Sequence, residues 1–221
     1  MATPKIYKTC DIELAKLKAD LKRQINKLSV LPIDQLNIID LKSETKKLMT
    51  ELQDRAFSSF LLIALAVHDE CVKLLSSLNY ASKMNRPNEE YVREVLKRYN
   101  ILTGYLFFPE AERKRMRLVE EILTAKEYNN IEQYEQAIRK FGNLWWTQLM
   151  AYGNAMVDAE MLDMYKSAGV EWVRWEAEDD DKTCHICEDL DQIVFKLKDL
   201  PDKPHRNCRC WYTPMPKGYK P

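Results

Sequence analysis

Four of the six cysteines in this 221-residue chain fall within one short segment near its carboxyl end, and no other feature restricts the possible folds as strongly. The segment begins with a C-x2-C pair, Cys184 and Cys187, and continues with His205, Cys208 and Cys210. Structural zinc sites use four cysteine or histidine ligands in tetrahedral geometry. A C-x2-C turn presents two thiolates to one ion, and a second turn supplies the remaining ligands. The spacing therefore predicts a metal site that joins two turns distant along the chain.

The predicted ligands of a structural Zn²⁺ are Cys184, Cys187, His205 and Cys208, with Cys210 as the alternative fourth ligand. The alternative stays open because either sulfur of a C-x-C sequence can point inward. His185 is adjacent to a ligand and is predicted to point away from the ion. The competing interpretation is a metal-free segment whose thiols are reduced or paired in disulfides. Metal binding is favoured, since short strands bury little apolar area and ligation supplies folding free energy directly.

The amino-terminal segment lacks the apolar core of a secretory signal peptide, and the cysteines are clustered rather than spread to cross-link loops. We therefore expect a protein of a reducing compartment. The most apolar run covers residues 60–67 and is eight residues long. Because a bilayer-spanning helix needs about 20 residues, this run predicts a buried helix and no membrane span.

Few glycines and many Leu, Lys, Glu and Met residues favour helix over most of the chain. Residues 11–30 show the clearest pattern, with apolar side chains three or four residues apart on one helix face: Leu14, Leu17, Leu21, Ile25 and Leu28. Further helices are predicted over residues 34–78 and 89–99, from residue 109 onward, and over residues 131–167.

After Gly169 the pattern changes to alternating β-branched and aromatic residues, which predicts short strands within residues 170–177, 193–195 and 211–213. The predicted fold class is therefore mainly α. An elongated helical body occupies residues 1–168, and a small C-terminal zinc-stapled, β-containing module occupies residues 169–221.

Basic and acidic side chains each number 34, so the formal net charge is zero and a globally basic nucleic-acid binder is excluded. The charge is unevenly distributed, with a net +4 over residues 1–30, −7 over residues 171–195 and +5 over residues 203–221. The basic N-terminal segment is interpreted either as a solvated helix face or as a contact to nucleic acid or an acidic partner. The basic tail is interpreted as a contact to an acidic partner, to a phosphate backbone or to the acidic strand of its own module. The candidate contact residues are Lys16, Lys22, Arg23, Lys27, Arg206 and Arg209.

Motifs of common enzyme classes are missing from the sequence. It contains no GxGxxG or GxxxxGK[ST] phosphate loop, no HExxH zinc-protease motif and no GxSxG elbow, and it has three histidines in all. A catalytic zinc keeps one coordination position open, whereas here five sulfur or imidazole donors compete for four positions. These features favour a closed structural site and a protein that is not an enzyme.

The carboxyl-terminal motifs resemble a known family. The segment reads W-x4-D-D, then T-C-x-x-C, a short strand, and P-H-x-N-C-R-C. This order resembles the signature of phage minor head proteins, the Mu protein F-like head-morphogenesis family. The matching residues are Trp175, Asp180, Asp181, Thr183, Cys184, Cys187, Phe195, Pro204, His205, Asn207, Cys208, Arg209 and Cys210. The chain departs from the family at Arg206, where proline is usual, and at Gln192, where glycine is frequent.

The resemblance implies a structural minor head protein of a tailed phage that acts in head morphogenesis near the portal. It implies a virion component in few copies, either homo-oligomeric or multi-copy, that is present in the host cytoplasm during assembly. The implied partners are the portal protein, the major capsid protein or both, with phage DNA as a further contact. The alternative that the residues themselves leave open is a zinc-dependent nucleic-acid-binding protein.

Overall fold

Five long α-helices precede a small antiparallel sheet. The computed structural model describes residues 5–35, 37–103, 107–178, 183–205 and 207–221; for residues 5, 6, 100–103 and 107–111 only the backbone is described. The long helices are α1 (Lys5–Ser29), α2 (Ile38–Ser77), α3 (Glu89–Thr103), α4 (Phe107–Glu127) and α5 (Ile131–Ala168). A short 3₁₀ helix, Ile33–Gln35, lies between α1 and α2. The prediction of a mainly helical protein is confirmed.

The strands follow α5 in a second, smaller part of the sequence. They are β1 (Trp172–Glu176), β2 (Val194–Lys196) and β3 (Trp211–Pro214), and a six-residue helix, α6 (His185–Leu190), lies between β1 and β2. A 3₁₀ helix, Leu197–Asp199, follows β2. The strands form one antiparallel sheet in the order β2-β1-β3, with Val173 opposite Phe195 and Trp175 opposite Tyr212. The predicted C-terminal β-containing segment is therefore confirmed.

Local capping explains two of the helix boundaries. The Asn88 side chain accepts a hydrogen bond from the Tyr91 amide at 3.0 Å, which caps the first turn of α3. At the end of α5, Gly169 adopts a φ of +72°, and the Val170 amide donates to the Tyr165 carbonyl at 3.0 Å. This left-handed turn favours glycine, so the chain leaves the helix where the sequence changes to strand.

Residue contacts divide the described chain into two units. One unit comprises the described parts of residues 1–12, 60–95 and 153–221, and the other comprises those of residues 13–59 and 96–152. We refer to these as the C-terminal unit and the central unit. The strands and the cysteine segment belong to the C-terminal unit together with parts of α1, α2, α3 and α5. The domain boundary between residues 168 and 169 stays a prediction.

The central unit is built from amphipathic helices. The leucines of the α1 stripe are buried at Leu17, Leu21 and Leu28, as their spacing predicts. They share a core with apolar residues of the other helices, including Leu48, Leu52, Leu118, Ile122, Phe141 and Trp145. Arg115 is buried as well, and its guanidinium donates to the Lys42 carbonyl and to Thr45 Oγ1 at 3.0 and 3.1 Å.

The C-terminal unit buries one face of the sheet. Val173 and Trp175 of β1 are fully buried, and the Trp175 ring meets the Tyr212 ring edge-on at 5.2 Å. Tyrosine hydroxyls from three helical or loop segments bind the backbone near β3: Tyr165 donates to the Tyr212 carbonyl at 2.9 Å, and Tyr80 donates to that of Met215 at 3.1 Å. The third, Tyr7, is described with the cysteine cluster. These bonds satisfy carbonyls within β3 and directly next to its two ends.

Within the described ranges, no helix contains an apolar stretch long enough to cross a bilayer.

Candidate metal centre

The C-x2-C pair lies at the beginning of α6. Cys184 is the residue before the helix and has an extended backbone, with φ −84° and ψ 154°, whereas Cys187 lies in the first turn. The Glu188 amide donates to the Cys184 carbonyl at 3.0 Å and closes this turn. As a result, the Sγ atoms of the two cysteines are 3.5 Å apart.

The second turn runs from His205 to Cys208, where the Cys208 amide donates to the His205 carbonyl at 3.2 Å. Cys210 follows immediately before β3. The Sγ atoms of Cys187 and Cys208 lie 3.5 Å apart, so the two turns meet through their thiols.

Five donor residues form two overlapping groups that could hold a metal ion. Cys184, Cys187 and His205 have donor atoms within 4.8 Å of one another, and so do Cys187, Cys208 and Cys210. Two thiolates bound to one tetrahedral zinc at about 2.3 Å are separated by about 3.8 Å, close to the observed thiol distances. Cys187 belongs to both groups, so each of the other four predicted donors lies within 4.8 Å of it. The C-x-C sequence turns both of its sulfurs inward, where the sequence left a choice between them.

The donors differ in their access to solvent. Cys187, Cys208 and Cys210 are buried, Cys184 is half-buried and His205 is exposed. All six cysteines of the chain are free thiols, and the two 3.5 Å separations are well beyond a disulfide bond of about 2.05 Å. His185 is exposed and belongs to neither group, which agrees with its predicted outward position.

The buried thiols perturb one another. Hydrogen bonding from the Cys208 thiol lowers the pKa of Cys210 to about 5. The same contact raises the pKa of Cys208. Burial, together with hydrogen bonds to Cys210 and Cys184, raises the pKa of Cys187 to about 12. Cys210 is thus the thiol of this group that ionises most readily.

A network of polar side chains, partly shielded from solvent, binds the backbone of the second turn. Lys203 Nζ lies 2.6 Å from Asp158 Oδ1 in α5 and 3.4 Å from the Cys208 carbonyl. Tyr7 in α1 places its hydroxyl 3.2 Å from the Cys210 carbonyl and 3.3 Å from Asp158. The Lys203 ammonium also lies over the Tyr7 ring, 5.8 Å from its centroid. These residues fix the backbone that carries two candidate ligands.

Sequence reasoning did not identify this network. Tyr7 precedes the leucine stripe of α1, and Asp158 lies among core residues of α5 without a motif. The net basic charge of residues 203–221 was the one available signal, because it placed Lys203 beside the ligands. The structure shows that this lysine is an internal partner and not a surface contact, with 12% of its side chain exposed.

Gln192 occupies the position where the resembled family often has glycine. Its φ is +63°, in the left-handed region that favours glycine. The glutamine side chain donates to Glu176 Oε2 at 2.7 Å and to Asp191 Oδ1 at 3.2 Å. These bonds offset the backbone cost and connect the end of α6 to β1.

The candidate nucleic-acid or partner contacts have varied surroundings. Lys16 pairs with Glu13 at 2.5 Å, and Arg23 pairs with Asp20 at 2.5 Å. Lys22 and Lys27 are exposed. Arg209 lies 4.0 Å from Glu178. Arg206 lies outside the described residues, as do Asp180 and Asp181 of the family signature.

Comparisons with known proteins add no further constraint: no protein-family model, no curated protein and no solved structure matches this chain.

Proposed function

We propose that the cysteine cluster binds one structural Zn²⁺ through Cys184, Cys187, His205 and Cys208, with Cys210 as the alternative fourth ligand. The meeting of the two turns through thiols 3.5 Å apart is the observation that supports this proposal. Zinc is the metal of choice for a set of soft sulfur and imidazole donors in tetrahedral arrangement. The ion would connect the beginning of α6 to the segment that leads into β3.

The role of the metal in this proposal is structural. The two groups of three donors share Cys187 and offer five sulfur or imidazole ligands in all, more than the four that a closed structural zinc site needs. Three of the donors are buried, and the network of Lys203, Asp158 and Tyr7 holds the backbone on one side. The sheet is small, with strands of five, three and four residues, and metal ligation would supply folding free energy that these strands lack.

At the level of protein class, we infer a non-enzymatic assembly protein with long helices for contacts to other proteins and a metal-linked C-terminal segment. More particularly, we propose a minor head protein of a tailed phage that acts near the portal during head morphogenesis. Support for the particular assignment comes from the signature residues of the C-terminal segment, whose candidate ligands form two groups that share Cys187. The proposed partners are portal and capsid proteins.

Virion composition tests this assignment. The expected result is the protein in purified virions or head precursors, detected by quantitative mass spectrometry in a few copies per particle. Its restriction to the soluble host fraction, and its absence from both kinds of particle, would contradict the assignment. Such a result would leave the zinc proposal standing, because metal content is measured on the isolated protein.

Contact with DNA is a second proposed function. Lys22 and Lys27 are exposed on α1, and no ion-pair partner is assigned to either within the described chain. Such contact predicts an affinity for duplex DNA that falls steeply with salt, and Lys22→Gln/Lys27→Gln should reduce that slope by about two. An affinity that does not change between low and moderate salt would contradict it.

A further inference from the structure

A cleft in the C-terminal unit lies beside the free edge of the sheet. Its volume is about 490 Å³, within the range of small binding sites. The floor is apolar and is formed by Val170, Trp172 and Leu197. The cleft is separate from the cysteine cluster, whose donors do not line it.

Three lysines surround this floor. Lys166 projects from the end of α5, Lys196 from β2 and Lys198 from the 3₁₀ helix that follows β2, and all three are exposed. None of these three lysines forms a salt bridge with another described residue. Glu171 is the single acidic residue among those that line the cleft. The cleft therefore has a local excess of positive charge in a segment where acidic residues predominate.

The adjacent strand edge is open. The sheet order β2-β1-β3 leaves β2 with β1 on one side and with no paired strand on the other among the described residues. Ile193 and Leu197 use their backbone groups toward β1, in the bonds Trp175 N–H to Ile193 O and Leu197 N–H to Glu171 O. Because backbone groups alternate along an antiparallel strand, those of Val194 and Lys196 face the open edge.

Together these features point to one kind of occupant. We propose that this cleft binds an extended acidic segment of a partner protein, which pairs with the free edge of β2 and places carboxylates against Lys166, Lys196 and Lys198. Strand addition uses the free backbone groups for affinity, and the lysines select for acidic side chains. An apolar side chain of the same segment would lie against Trp172 and Leu197.

The aromatic surroundings favour a peptide over single-stranded nucleic acid. Base stacking needs an open aromatic face. One face of Trp172 is covered by the Lys196 ammonium, 5.3 Å from the ring centroid, and the Tyr219 ring meets Trp172 edge-on at 6.3 Å. A free strand edge is also complementary to a peptide backbone and has no counterpart in a nucleotide chain.

The test measures fluorescence anisotropy with a fluorescein-labelled heptapeptide in which glutamate alternates with valine and phenylalanine. The charge-reversed protein Lys166→Glu/Lys196→Glu/Lys198→Glu is compared with a matched control, Lys46→Glu/Lys47→Glu/Lys97→Glu, which changes the net charge equally at exposed positions of the central unit. We expect the first variant to weaken binding about tenfold or more and the control to weaken it less than about twofold. Melting temperatures of both variants verify that the fold is retained.

Two further probes separate the alternatives. The same peptide with lysine in place of glutamate, and one with N-methylated backbone amides, should each bind about tenfold more weakly than the acidic peptide. Equal effects of the two charge-reversed variants, undiminished binding of either altered peptide, or no binding of the acidic peptide at millimolar concentration would overturn the proposal. Tighter binding of oligothymidylate that depends on the same three lysines would also overturn it, in favour of nucleic acid.

Discussion

The Sγ atoms of Cys187 and Cys208 lie 3.5 Å apart although 21 positions separate the two residues in sequence. Each belongs to a different turn, one at the beginning of α6 and the other before β3. Thiols at this distance suit joint ligation of a zinc ion, where about 3.8 Å is expected. The contact joins the two halves of the cysteine segment and is the basis of the proposed metal centre.

Replacement of individual cysteines should identify the fourth ligand. Cys208→Ala is expected to lower zinc affinity by a large factor, because it removes the thiol that meets Cys187 directly. Cys210→Ala should retain about one zinc per chain, since it leaves the proposed ligand set of Cys184, Cys187, His205 and Cys208 intact. Metal content after dialysis, with the melting temperature recorded in parallel, provides the measurement. Loss of zinc in Cys210→Ala with retention in Cys208→Ala would reverse the assignment of these two residues.

Lys203→Met should destabilise the protein through Asp158. The lysine is the ion-pair partner of this half-buried carboxylate, and burial raises the pKa of Asp158 while Lys203 opposes the rise. We expect a loss of about 1–3 kcal/mol in the free energy of unfolding, and about 10–100-fold weaker metal binding, because the Cys208 carbonyl loses its support.

Two variants control this experiment. Lys217→Met removes an exposed lysine from the same segment and should change the free energy of unfolding by less than about 0.5 kcal/mol. Lys203→Met/Asp158→Asn removes both charges and should recover part of the stability. A Lys203→Met protein as stable as Lys217→Met would show that the network does not support the site.

Two arginines of α4, two positions apart, should differ in their contribution to stability. Arg115 is 5% exposed and binds Lys42, Thr45 and Glu112, whereas Arg117 is exposed and pairs with Glu121 at 3.0 Å. Arg115→Met should cost about 1–3 kcal/mol because buried acceptors lose their donor. Arg117→Met should cost less than about 0.5 kcal/mol. Denaturant unfolding measures both, and equal costs would contradict the assigned burial.

Glu160 should make stability depend on pH. Burial raises the pKa of this carboxyl, and hydrogen bonds from His68 at 2.8 Å and from Tyr91 oppose the rise. The folded protein therefore holds the proton more tightly than the unfolded chain, so the contribution of Glu160 to the free energy of unfolding falls as the pH rises above 4.5. Glu160→Gln remains neutral and lacks this loss.

The melting temperature of Glu160→Gln minus that of the wild type should accordingly increase as the pH is raised from about 4.5 to neutrality. The exposed Glu127→Gln serves as the control and should show a nearly constant difference. Calorimetry over this range makes the comparison. A difference that is constant or decreases for Glu160→Gln would mean that folding does not raise the pKa of this carboxyl.

The sequence predicted the elements of this fold where a short-range rule was sufficient. The leucine stripe of α1 and the glycine at the end of α5 follow from helix geometry and from the left-handed turn, and both are found. The metal donors were also predictable, because zinc ligation restricts the spacing of cysteines and histidines. All three predictions rest on sequence spacing alone and do not require knowledge of how the helices pack.

Other features depend on contacts between distant parts of the chain. Helix α1 begins at Lys5, well before the predicted start at residue 11, because Tyr7 and Cys10 are buried in the C-terminal unit. The hydrogen bond from Tyr7 to the Cys210 carbonyl joins residues 203 positions apart, and no local sequence pattern predicts it. The burial of Lys203 has the same origin, since the net charge of residues 203–221 does not identify Asp158 as the partner of this lysine.

Zinc content is the most direct test of the central claim. The protein is purified from zinc-containing medium without chelators, and its metals are quantified by inductively coupled plasma mass spectrometry beside Cys184→Ser/Cys187→Ser. The account predicts about one zinc per chain in the wild type, almost none in the variant, and a lower melting temperature after zinc is removed. A wild-type protein that contains no metal and melts at the same temperature with and without a chelator would contradict it.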